Sequence, residues 1–164
     1  TKKNKINFMS GDKVFLYGAE VILDVIKGKT TKIILSANII KIFLGRKNAN
    51  TKYALETWYK KKSFDYTEKR TNYLSNAMCL KYRSVKVRNF KRRLGSCSIK
   101  GDIVLNWRII MFPKEVIDYI IIHELSHIIH FNHSKLFWNT VKKFCPKFKE
   151  HKLWLKKNSQ MITW

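Results

Sequence analysis

Residues 116–129 read VIDYIIIHELSHII, and no other stretch limits the fold so tightly. Val116, Ile117, Ile120, Ile121, Ile122, Leu125, Ile128 and Ile129 fall on every side of a helix, so the segment predicts a helix buried all round. A membrane span is not expected. No run of about twenty apolar residues occurs in the chain, and Asp118, His123, Glu124 and His127 would be costly in lipid. A packed core must therefore close around a helix with titratable groups near its middle. Burying such groups is unfavourable unless a partner is supplied.

Around this helix the chain predicts one α+β domain over residues 1–164: an N-terminal strand meander of hairpins, then helices. KVFLYG, EVILDVI, TKIILSA and IIKIFLGR, within residues 13–46, are short, β-branched and separated by turn residues. Residues 50–76 lack Pro and Gly and space Leu55, Trp58, Tyr59 and Tyr66 as one long helix or two shorter ones would. Val85 and Val87, then Ile103, Leu105 and Trp107, alternate as strands do, with KGD as a tight turn between two of them. Pro113 suits a first helical residue, Ser134 an N-cap for the next helix, and Pro146 the opening of the last.

The charge is lopsided: 34 Lys and Arg against 11 Asp and Glu give +23. That excess suits a nucleic-acid or nucleotide partner, or simply a lysine-rich solvated surface. Cys79, Cys97 and Cys145 are odd in number and form no C-x-x-C pair, which argues against a disulfide framework or a cysteine zinc site. With no apolar run of export-signal type near residue 1, a cytoplasmic protein is expected.

Four of the five histidines lie in HELSHIIHFNH, residues 123–133. His123 and His127, at i and i+4, share one face of a helix and can converge on one ion. Zinc suits imidazole nitrogen, and Glu124 beside that face can take a proton from a zinc-bound water. A third ligand is needed. His130 lies seven residues past His123, about 10.5 Å along a continuous helix, and ranks last. His133 can return to the ion if Asn132, tolerant of the left-handed conformation, ends the helix. Glu150, on a later helix, is the second choice after His133.

With these residues placed, the chain resembles the YgjP-like metallopeptidase family, relatives of the SprT-like zincins. RLGSCS (93–98), GDIVLNWRI (101–109), EVIDYIIIHELSHIIHFNHSKLFW (115–138) and CPKFKEHKLWLK (145–156) are similar to the family's motifs, most closely over residues 92–156. Leu94 stands where the family has Trp, which touches the packing near GSC rather than the metal. The resemblance implies a zincin-type active-site helix, Zn2+ on His123, His127 and His133, and Glu124 as the catalytic carboxylate. It implies a zinc metallopeptidase acting on peptides or proteins. By analogy with other zincins, DIVLNW is a candidate strand for pairing with an extended substrate. Two alternatives remain: a nucleotide phosphohydrolase, and a basic nucleic-acid-binding module whose metal is structural. Oligomeric state is not legible.

Overall fold

The computed structural model describes residues 6–45, 49–158, 160 and 164. Its elements follow the expected α+β order, strands first and helices last. The first sheet holds β1 (Lys13–Leu16), β2 (Ala19–Lys27), β3 (Lys32–Ser36) and β4 (Ile39–Leu44). It is not a meander. The order is β1-β2-β4-β3, with β4 parallel to β2 and antiparallel to β3. Burial explains the exchange: Ile40 and Ile42 of β4 are fully buried and claim the interior, whereas Ile34 and Leu35 of β3 are exposed at the edge. Arg46, expected at the end of the fourth strand, lies outside the described residues.

The β1–β2 hairpin turns through Tyr17 and Gly18, both with positive φ (51° and 82°). Their N–H groups donate to the carbonyls of Ile110 and Met111, at 2.9 Å each. A Cβ on Gly18 would stand 2.8 Å from Pro113 Cγ, so only glycine lets the hairpin tip sit this close.

Residues 51–77 form one helix, α1 (Thr51–Ala77), whose first turn is capped by Asn50 Oδ1 accepting from Tyr53 N. Its buried stripe is Leu55, Tyr59, Ser63, Thr67, Thr71 and Leu74, with Ser75 beside it. Small hydroxyl residues at four-residue spacing let neighbouring elements approach closely. Trp58 and Tyr66 are only half-buried.

The second sheet has β5 (Ser84–Arg88), β6 (Gly95–Cys97) and β7 (Asp102–Asn106) in the order β5-β7-β6. GSC is a short strand, and the tight turn at residues 98–102 uses Gly101 with φ 83°. Again the last strand enters the middle, parallel to the first and antiparallel to the second. DIVLN is therefore hydrogen-bonded on both sides and cannot receive a substrate strand, which corrects the expectation from sequence. β7 runs into a buried 3-10 turn, Trp107–Met111, and then α2 (Lys114–Ser126), α3 (Lys135–Phe144) and α4 (Phe148–Asn158). Pro113 caps α2 rather than opening it. Val116, Ile117, Ile120, Ile121, Ile122 and Leu125 are buried in the core, as periodicity predicts; Ile128 is only half-buried and Ile129 is 48% exposed, because the helix ends at Ser126 before reaching them. Asp118 receives both arms of Arg70, at 2.6 and 2.7 Å, which offsets its partial burial.

Candidate metal centre

α2 ends earlier than the Asn132 stop expected from sequence. The Ser126 hydroxyl donates to the Ile122 carbonyl at 2.7 Å. Beyond it, the N–H groups of His127, Ile128 and Ile129 bond three residues back instead of four, tightening the last turn. His127 is the C-cap, in the right-handed region, and Asn132 is not among the described residues of positive φ. This early stop frees residues 128–133 to fold back. It brings His133 Nε2 to 3.1 Å from His123 Nε2.

The ligating atoms of His123, His127 and His133 all lie within 4.8 Å of one another. His127 Nδ1 is 3.0 Å from the His130 carbonyl oxygen. A carbonyl only accepts, so Nδ1 carries the proton and the Nε2 lone pair of His127 is left to coordinate. His130 thus serves through its backbone, and its imidazole is not in the cluster. Glu150, exposed on α4, is not in it either.

Phe137, fully buried, lies against all three rings, with centroids 4.6–5.0 Å away. Trp138 packs on His123 and His133 at 5.7 and 5.9 Å, and Lys152 of α4 places its ammonium 4.6 Å from the Trp138 ring. Ser134, directly after His133, caps α3 by accepting from Phe137 N. One residue junction therefore fixes both the loop carrying His133 and the helix supporting it. Burial, then the neighbouring histidines and Lys152, push His123 down to about 4. His133 is lowered by burial, His127 and Lys152.

Glu124, 7% exposed, turns from the same helix toward β6. A Cβ on Gly95 would stand 3.0 Å from both Glu124 Cγ and Oε1, so the missing side chain makes room for the carboxyl. Burial pushes Glu124 up to about 7. Cys97, on the same strand, is pushed up to about 11 by burial, Glu124 and Asp102. It is a neutral thiol at ordinary pH, not a ligand.

The donor set fits a divalent ion such as zinc. Two nitrogens on a tetrahedral zinc stand about 3.3 Å apart, close to the 3.1 Å between His123 and His133. Neutral imidazoles also suit zinc, since coordination needs free lone pairs. Among the described residues no fourth His, Cys, Asp or Glu joins the group. Sequence reasoning did not single out Gly95, Phe137, Trp138 or Lys152. Gly95 was within reach through the RLGSCS motif; Lys152 had no signal, because α4 meets the site only in three dimensions.

A family model described as YgjP-like, metallopeptidase domain, matches residues 1–158. No curated protein matches the sequence. Among solved structures, the chain is similar to the metallopeptidase zymogen of Pyrococcus abyssi abylysin: 28% identity, 55% of this chain and 92% of that one covered, TM-score 0.50. It shares a fold with the metallopeptidase zymogen of Methanocaldococcus jannaschii jannalysin: 23% identity, 55% and 93% covered, TM-score 0.50.

Proposed function

The chain belongs to the YgjP-like metallopeptidase family, and from that premise we propose a zinc-dependent peptidase with His123, His127 and His133 as ligands and Glu124 as general base. One observation carries the reading: three imidazoles, two of them lowered in pKa, surround a common point, and the next residue along the helix is a buried carboxyl of pKa about 7. A divalent ion held there would act as a Lewis acid on water and on a substrate carbonyl. Glu124, with a pKa near the working pH, suits transfer of a proton from attacking water to the leaving amine. His127 is held in its coordinating tautomer by the His130 carbonyl. The three-ligand set leaves a position open, which favours catalysis over a structural metal.

The substrate edge is β6, not β7. β6 is the outer strand of its sheet, and its Gly95 abuts Glu124. A peptide added there would lie beside the carboxyl. No helix among the described residues is long and apolar enough to cross a membrane, and the unpaired cysteines suit the cytoplasm.

Glu124→Gln tests the chemistry. The variant should keep full zinc content and lose at least about 10²–10⁴-fold in hydrolysis of a denatured-protein substrate. Nucleoside triphosphates in the same screen separate peptide from phosphate cleavage. A zinc-loaded variant as active as the wild type would remove Glu124 from the mechanism.

A further inference from the structure

A second feature lies outside the histidine cluster. A groove of about 380 Å³ runs between the face of α1 and the tip of the β1–β2 hairpin. Its aromatic walls are Tyr17, Trp58 and Tyr66, and its cations are Lys61, Lys62 and Lys69. Asp65 also lines it and offsets Lys61 through a 2.9 Å ion pair. The rings of Tyr17 and Tyr66 meet at 5.1 Å. Lys62 lies over Trp58 at 4.9 Å, and Lys114 over Tyr17 at 5.0 Å.

The same chemistry continues along the helix. Trp58, Lys62, Tyr66, Arg70 and Tyr73 follow at spacings of four, four, four and three, so they share one face. Arg70, whose charge is already paired with Asp118, lies over the ring of Tyr73, which is 60% exposed. From Trp58 to Tyr73 the ridge extends about 22 Å at 1.5 Å per residue. Tyr17, Trp58 and Tyr66 rest one side on the core and turn the other to the groove, whereas Tyr73 is exposed.

Tyr17 adds an independent sign. It sits at φ 51° in a two-residue hairpin turn, where Asn, Asp or Gly is the low-strain choice. The two backbone hydrogen bonds to residues 110 and 111 hold the turn. Phe8, Ala37 and Cys79 also have positive φ, but of these four residues Tyr17 is the one that lines the groove.

We propose that this groove and ridge bind single-stranded nucleic acid. Unpaired bases stack on Tyr17, Trp58, Tyr66 and Tyr73, and the lysines attract the phosphates. The chain's charge of +23 supplies the long-range attraction. Rings alternating with point charges fit a strand that presents bases and phosphates in turn. A paired duplex hides its base faces, and an acidic peptide offers none to stack.

The test is fluorescence anisotropy of a labelled oligothymidine of about 16 nucleotides with the zinc-loaded full chain. Binding is expected at about 50 mM salt, with log K falling against log salt at a slope of roughly −2 to −3 for three or four phosphates neutralised. Tyr17→Asn relieves the strained turn but removes the ring's packing on Tyr66 and the core, so its melting curve checks the fold while binding should weaken about tenfold or more. Tyr73→Ala, on the surface, carries the same test without risk to the core. Duplex DNA and heparin, which lacks bases, should bind more weakly and lose nothing on Tyr73→Ala. No binding at low salt, equal affinity for heparin or duplex, or full binding by both aromatic variants would each overturn the proposal.

Discussion

In the proposed mechanism, Glu124 and Gly95 together define the reacting corner of the site. With Gly95→Ala, the added methyl meets the carboxyl at 3.0 Å and must displace it. Since a small misplacement of a catalytic group costs up to about 10²-fold, kcat should fall roughly ten- to a hundredfold while zinc content stays unchanged. Loss of zinc with kcat per bound ion preserved would contradict this. The same carboxyl sets a pH dependence in the metal-free chain. Its folded pKa is about 7, against an ordinary 4.5. Unfolding between those values releases a proton, so this residue's contribution is complete below pH 4.5 and is lost as pH rises through 7. Gln stays neutral. Metal-free Glu124→Gln should therefore match the wild type near pH 4.5 and exceed it above pH 7 by on the order of 3 kcal/mol, read from urea melts at the two pH values. His123, pushed down by burial, acts in the opposite sense in both proteins and cancels in the comparison. Equal stabilities at high pH would show that the carboxyl is not desolvated.

Among the elements, α2 and the junction after it were legible because their signals are local. The apolar periodicity, the i, i+4 histidines and the Ser134 cap each lie within a few residues of what they determine. The stop of α2 was misplaced because it rests on Ser126 bonding back to Ile122 and a tightened turn, not on a left-handed residue. α1 hid its inward face for a different reason. Its buried stripe is largely Ser and Thr, which a hydrophobicity pattern does not register. Two of those hydroxyls, Ser63 Oγ and Thr71 Oγ1, are buried without a hydrogen-bond partner among the described residues. Thr71→Val keeps the shape and removes the unpaired group. It should stabilise the protein by about 1 kcal/mol, raising Tm by roughly 2–4 °C in calorimetry. A lower Tm would mean that the hydroxyl has a partner, such as buried water.

At the scale of the whole molecule, both sheets solve one problem the same way, inserting the last strand between the two before it. Sequence order suggested neighbours in order, and only burial reveals the exchange: Ile40 and Ile42 in one sheet, Ile103 and Leu105 in the other. The contact between Gly95 and Glu124 was invisible for the same reason, since it joins an edge strand to a helix far along the chain. The second sheet and α2 thus bring β6, the histidines and the carboxyl together. Anomalous diffraction at the zinc edge, on crystals of the zinc-loaded chain, tests this assembly most directly. It should show one peak per chain, bonded to the Nε2 atoms of His123, His127 and His133, with a non-protein ligand in the remaining position and Glu124 beside the ion but not bound to it. A peak held by Glu150 in place of His133, a shell closed by four protein ligands, or no peak at the histidines would contradict the account.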